Sequence, residues 1–197
     1  MKVVAFNGSP RRDGNTTILI RHVFSELEGA GIATEVVQLA DRPIHGCIAC
    51  EQCSEKANRR CAVTDDAAND YIEKMEEADG IILGSPVYVQ DVTPEIKALI
   101  DRAGYVGRAN GEMFTGKVGA VLVAVRRTGA IHTMDTMNHF FLSRECIIAG
   151  RAIGVGRKRG AVEQDAEGIE LARSLGQRMA WALEKLHGSR GSAVMPG

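Results

Sequence analysis

The feature that most constrains this chain is an alternation: short β-branched, largely apolar runs are separated by longer segments with helical spacing. "KVVAF" (2–6), "ATEVVQL" (33–39), "GIILGSPVYV" (80–89), "KVGAVLVAV" (117–125) and "CIIAGRAIGVG" (146–156) read as five strands. The third and fourth are almost wholly apolar, as strands buried on both faces are. Between the strands, Ile18, Ile20, Val23, Phe24 and Leu27 share one helical face, and Tyr71, Ile72 and Met75 share another. "TPEIKALIDRAG" opens on Thr93, which can cap a helix, and Pro94, which suits its first turn. "AIHTMDTMNHFFLSRE" reads as the next helix. A closing helix runs from Asp165, with Ala172, Leu175, Met179, Leu183 and Leu186 at three- and four-residue spacing and Trp181 at the edge of that face. This order predicts an α/β fold: a doubly wound, five-stranded parallel sheet with helices on both faces and right-handed crossovers.

At 197 residues the chain suits one domain, read here as 1–188, with "SRGSAVMPG" (189–197) expected to be disordered. With 24 basic and 25 acidic residues there is no electrostatic case for a nucleic-acid partner. No apolar run approaches the roughly 18 residues of a membrane span. The start, "MKVVAFNGSPRRDGN", lacks the apolar core of a signal peptide, so the expectation is a cytoplasmic protein without a membrane partner. Clustered thiols in a reducing compartment point to metal binding or redox work rather than disulfides.

In doubly wound sheets, ligands sit beyond the carboxyl ends of the strands. "NGSPRRDGNTT", "GSPVYVQDVTP" and "RRTGAIH" all follow strands and fall on that edge. The first is rich in donors: Ser9, Arg11, Asn15, Thr16 and Thr17 stand where a helix begins, and helix-start N–H groups and the helix dipole favour an anion. It is not a Walker A loop, because five residues separate Gly8 from Gly14 and Asn15 stands in place of lysine. Hydroxyls and amides with one arginine suit a terminal monophosphate, such as that of flavin mononucleotide (FMN). The plainer alternative is a turn capped by Asn15.

The loop 43–64 holds four of the five cysteines, Cys47, Cys50, Cys53 and Cys61, in the spacing C-x2-C-x2-C-x7-C. A loop that long inside a compact domain is usually functional or disordered. The triplet can wrap three corners of a [4Fe–4S] cubane, with Cys61 as the fourth. Zinc, more often held by two separated C-x2-C pairs, and metal-free thiols stay open as alternatives. His45 is a candidate neighbour of the group, and Cys146 reads as a small core residue.

Together, "GSPRRDGNTT", "GSPVYV" followed by "PEIKALIDR", and a cysteine loop ending "CAVTDD" resemble the flavodoxin-like NADPH-dependent FMN reductase family, and within it the iron-sulfur flavoproteins. The resemblance runs to about Leu186. It implies a flavodoxin-like strand order, 2-1-3-4-5. It implies an FMN phosphate held by Ser9, Arg11, Asn15, Thr16 and Thr17, and an isoalloxazine ring against Pro86, Val87 and Tyr88. Arg127 and Gly129, in "VRRTGAI", would meet the ring's polar edge, where a positive charge from Arg126 or Arg127 favours the reduced flavin. Solvent exposure of these arginines is the plainer reading, as a core position is for Tyr88. The four loop cysteines match the family's cluster ligands.

The function implied is an oxidoreductase that passes electrons from a ferredoxin-like donor or NAD(P)H to a small acceptor, assembled as a homodimer or homotetramer. An NAD(P)H-dependent FMN, quinone or azo reductase without a cluster is the alternative, and a thiol redox sensor on the same fold is a further one. No catalytic side chain is needed, since the flavin carries the chemistry. The basic run Arg157 to Arg159 reads as a solvated turn, with contact to a nucleotide 2′-phosphate as the alternative, and His132 and His139 read as packing or surface residues.

Overall fold

In a computed structural model describing residues 1–188, the expected sheet is present. The strands are β1 (Lys2–Asn7), β2 (Ala33–Gln38), β3 (Gly80–Pro86), β4 (Val118–Val125) and β5 (Ile147–Val155). All pair in parallel, in the order β2-β1-β3-β4-β5. The tail 189–197, expected to be disordered, lies outside the described residues. The helices are α1 (Asn15–Gly29), α2 (Gln52–Lys56), α3 (Ala68–Glu77), α4 (Pro94–Ala109), α5 (Ala130–Ser143) and α6 (Ala166–His187). None is long and apolar enough to cross a membrane.

Because strand side chains alternate and both faces are covered, the sheet feeds two cores. Val4, Phe6, Ile81, Leu83, Val121 and Val123 pack beneath α3, α4 and α5, against Ile96, Leu99, Met137 and Phe141. Val3, Ala5, Ile82, Ala120 and Leu122 point the other way, onto Leu19, Ile20 and Val23 of α1 and Leu175 and Met179 of α6. Each of the larger side chains contributes about 1.5–3 kcal/mol by leaving water. Trp181 lies outside this packing and is 63% exposed.

Most strand ends shift by a residue or so from the sequence reading, and three differences have a local setting. β3 stops at Pro86 instead of Val89, because Val89 and Gln90 take left-handed φ values of 46° and 74°. Tyr88 and Asp91 close that two-residue turn with reciprocal backbone hydrogen bonds of 2.8 and 3.0 Å. β4 begins after Lys117, whose half-buried ammonium donates to the carbonyls of Glu76 and Ala78 at 2.7 and 2.6 Å and so closes the end of α3. The cysteine loop carries α2, a single turn of helix containing Cys53 that no apolar period announces.

Candidate functional site: a sheet-edge pocket and a four-cysteine cavity

The loop after β1 is shaped from inside by Asn7, a buried polar residue at the end of an apolar strand. Its Oδ1 accepts from the Ser9 N–H at 3.0 Å, and its Nδ2 donates to Thr17 Oγ1 at 2.9 Å and Gln38 Oε1 at 2.8 Å. Gln38 in turn donates to the Ser9 carbonyl. Ser9 Oγ accepts from the Arg11 N–H at 3.2 Å. The loop is therefore held in one shape by groups within the chain.

Ser9, Arg11, Asn15 and Thr16 meet Pro86 and Val87 around a cavity of about 280 Å³ at the carboxyl edge of the sheet. Thr16 Oγ1 is buried there and has no hydrogen-bond partner. Thr17 is turned the other way, its hydroxyl occupied by Asn7. Asn15 does not aim its amide at the cavity. Its Nδ2 donates to the carbonyls of Gly156 and Lys158 at 3.1 and 3.0 Å, tying the loop after β5 to the start of α1.

That tie brings the basic run onto the cavity wall. Arg157, Lys158 and Arg159 line it together with Arg126, where the sequence reading expects a solvated turn. All three are exposed to solvent on one side and line the cavity with the other. The only sequence signal was the basicity of the run. Its partner, Asn15, is more than a hundred positions away, and the contact is set by the β5 crossover. Arg159 pairs with Asp13 at 3.1 Å. Arg11, Arg126, Arg157 and Lys158 make no ion pair among the described residues. A chain of net charge −1 thus concentrates free cations at one edge.

A second cavity of about 370 Å³ shares Val87, Arg126 and Arg157 with the first and is completed by Gln90, Arg127 and Thr128. Gly129 shapes it without lining it: at φ 93°, a Cβ there would stand 2.7 Å from Val87 Cγ1. Only glycine lets the loops after β3 and β4 approach so closely. Tyr88 lines neither cavity and is not in the core, being 44% exposed with its backbone closing the turn. Gln90 Nε2 donates to Thr128 Oγ1 at 3.2 Å, joining the two loops. His132 faces Asp91 at 3.4 Å, outside these walls.

The four loop cysteines line a separate cavity of about 460 Å³. They ring it without converging, and among the described residues no three His, Cys, Asp or Glu side chains come close enough to hold a single metal ion. Ala49, Glu51, Ala57 and Arg59 all adopt left-handed φ between 43° and 62°, a strained run for residues other than glycine. Arg102 of α4 holds the loop at both ends. It donates to the His45 carbonyl at 3.1 Å, before the cysteines, and to the Val63 carbonyl at 2.9 Å, after them. It also pairs with Asp66 at 2.8 Å, both side chains being buried.

Burial raises the pKa of Asp66, but the His45 and Ala68 N–H groups and Arg102 outweigh it and hold the carboxyl below its ordinary value. Burial likewise opposes the charge on Arg102, and Asp66 and Cys61 overcome it. His45 contributes its backbone rather than its ring to this arrangement. Cys146 is buried elsewhere, its Sγ 3.3 Å from the Phe114 carbonyl, and burial pushes its thiol up to about 11.

The cysteine loop packs on α4 and does not fold over the loops after β3 and β4. The two sites share no lining residue. Arg102 stands about 12 Å along the helix axis from Pro94, which follows the carboxyl end of β3.

Residues 1–159 match the model of the NADPH-dependent FMN reductase family. An iron-sulfur flavoprotein of Methanocaldococcus jannaschii is 38% identical over 189 residues, 91% of this chain and 96% of that protein. An iron-sulfur flavoprotein of Archaeoglobus fulgidus is 32% identical, over 93% of this chain and 81% of its own length. Among solved structures, RosB with a bound 8-demethyl-8-formylriboflavin-5′-phosphate intermediate superposes with a TM-score of 0.79 at 20% identity, over 96% of this chain and 81% of that one. An NAD(P)H:quinone oxidoreductase from Methanothermobacter marburgensis gives 0.68 at 16% identity, over 91% and 96%. These two share the fold. On the family match and the close relatives, the chain belongs to the NADPH-dependent FMN reductase family, in its iron-sulfur flavoprotein branch.

Proposed function

We propose that this oxidoreductase binds FMN at the sheet edge and a [4Fe–4S] cluster in the four-cysteine cavity, and passes electrons from a ferredoxin-like donor or NAD(P)H to a small acceptor. The observation that carries the flavin half is the buried, unpartnered Thr16 hydroxyl on a cationic cavity where β1, β3, β4 and β5 end. A hydroxyl in that position is satisfied by a phosphate oxygen, and Ser9, Arg11, Arg157 and Lys158 can complete its charge balance. Arg126 and Arg127 are placed to act on the flavin's polar edge, and Gly129 keeps room for the ring beside Val87.

The donor set of the four-cysteine cavity suits a cluster better than zinc. Four thiols ring a void large enough for a cluster without meeting at a point, as ligands on four different irons do. The orphaned Nε of Arg102 on the same wall suits an anionic sulfur-rich occupant. When both cofactors are bound, the flavin exchanges electrons in pairs and the cluster singly, so together they join two-electron to one-electron chemistry. The separation of the two cavities in one chain supports assembly as a homodimer or homotetramer, in which one copy can bring its cysteine cavity to the flavin edge of another. The free arginines at that edge favour an anionic electron donor.

Rapid mixing of the holoprotein with reduced ferredoxin, NADPH or NADH, following flavin and cluster absorbance separately, tests the reading. The expected result is reduction of both chromophores by at least one donor, with cluster reduction lost and flavin retained after Cys50→Ser and Cys53→Ser. Turnover with NAD(P)H that is indifferent to those substitutions would favour the cluster-free reductase. No reduction by any donor would favour a thiol sensor.

A further inference from the structure

Arg102 is 1% exposed, at the centre of α4. Its terminal nitrogens offer four N–H bonds, and all four are engaged: Nη1 with the His45 carbonyl and Asp66 Oδ2, Nη2 with the Val63 carbonyl and Asp66 Oδ1. The fifth donor, Nε–H, is buried and has no partner. Leaving such a donor unsatisfied costs about 1–3 kcal/mol, and more on a charged group. Arg108 also borders the cysteine cavity, but it is exposed and can turn its donors to water. Arg102 cannot. The cavity it lines offers the sulfur of Cys61 and whatever the four thiolates hold.

The fixed geometry separates two roles within one side chain. The terminal nitrogens staple the loop on both sides of the cysteines. Nε is left over, held in place by the same four bonds, on a side chain that lines the ligand cavity. From this we infer that Arg102 is a positioning residue whose Nε–H donates to a sulfur of Cys61 or of the iron-sulfur group, biasing that group toward its reduced state. The inference rests on the cluster reading above. Reduction adds negative charge to the sulfurs, so a donor aimed at them stabilises the reduced form and raises the potential. A lysine at this position keeps the charge beside Asp66 but has no Nε–H at that place and cannot span both carbonyls.

The test compares wild-type holoprotein with Arg102→Lys and with the double variant Arg102→Gln, Asp66→Asn, which replaces the buried ion pair by amides and keeps the fold measurable if the single variant fails. Iron and acid-labile sulfide are measured first, then the midpoint potential by an EPR-monitored titration, then iron release to a chelator. Far-UV circular dichroism reports folding throughout. The expected result is full loading with a more negative potential in both variants; a tenfold loss of preference for the reduced form corresponds to about 59 mV in a one-electron couple. Iron release is expected to accelerate by roughly tenfold or more. Variants that load with unchanged potential and unchanged release overturn the role of Nε while leaving the cluster reading intact. Wild-type protein that takes up no iron and sulfide overturns the cluster reading, and this inference with it.

Discussion

Thr16 carries a hydroxyl that the fold has removed from water and left without an acceptor or donor inside the chain. Such a group is a cost in the free protein and a gain on binding, which gives Thr16→Val a two-sided signature. FMN affinity, followed by fluorescence quenching, is expected to fall about tenfold or more, the worth of a hydrogen bond to a charged group. Thermal stability of the flavin-free protein is expected to hold or rise slightly. Unchanged affinity would remove Thr16 from the phosphate site. The five thiols divide as sharply. Cys146, held largely as the thiol by a pKa of about 11 and shielded by burial, is expected to resist alkylation at pH 8 in the native, metal-free protein, whereas the four loop cysteines react. Mass spectrometry of the alkylated chain reads the difference directly, and five modified cysteines before unfolding would contradict it.

At the level of elements, α4 acts as a strut. Its apolar face, with Ile96, Leu99 and Ala103, enters the core, and its Arg102 fixes a loop with four left-handed non-glycine residues. Truncating Arg102 to alanine leaves Asp66 buried and unpaired and is expected to cost about 3–5 kcal/mol in denaturant unfolding. The pH dependence has a definite sign. Asp66 is held below its ordinary pKa in the folded chain, so its contribution is complete above the unfolded value, near 4, and is lost as pH falls through the lower folded value. Stability of the wild type is therefore expected to fall more steeply below about pH 4 than that of the Arg102→Gln, Asp66→Asn variant, which lacks the pair.

The elements themselves were legible in the sequence because strands buried on both faces and helices with one apolar stripe leave opposite periods. The end of β3 was not legible, because "VYV" has strand composition while the turn at Val89 and Gln90 is imposed by the bridge between Tyr88 and Asp91. Nor was α2, whose single turn buries no residue and so carries no apolar stripe.

For the whole molecule, local motifs announced the two sites, and crossovers built the rest of them. Ser9 and Thr16 could be placed from "GSPRRDGNTT" alone, since a helix start after a first strand needs little else. Asn7 was passed over, although a polar residue ending an apolar strand was the signal that could have found it. Arg157 and Lys158 reach the same cavity only because β5 lies at the far end of the sheet order and its loop is tied back by Asn15. Arg102 reads as an ordinary helix residue until the loop it holds is folded onto α4. The same packing sets the cysteine cavity apart from the flavin edge, so analytical ultracentrifugation of the holoprotein is expected to show a dimer or tetramer. A monomer that still passes electrons from cluster to flavin would contradict that arrangement.

A flavin site and a four-thiolate cluster site on one chain set a cofactor stoichiometry. Anaerobic reconstitution with FMN, iron and sulfide, followed by desalting and counting of flavin, iron and acid-labile sulfide per chain, measures it. One flavin with about four irons and four sulfides per chain is expected. Flavin retained with no iron or sulfide, or zinc in their place, would contradict it.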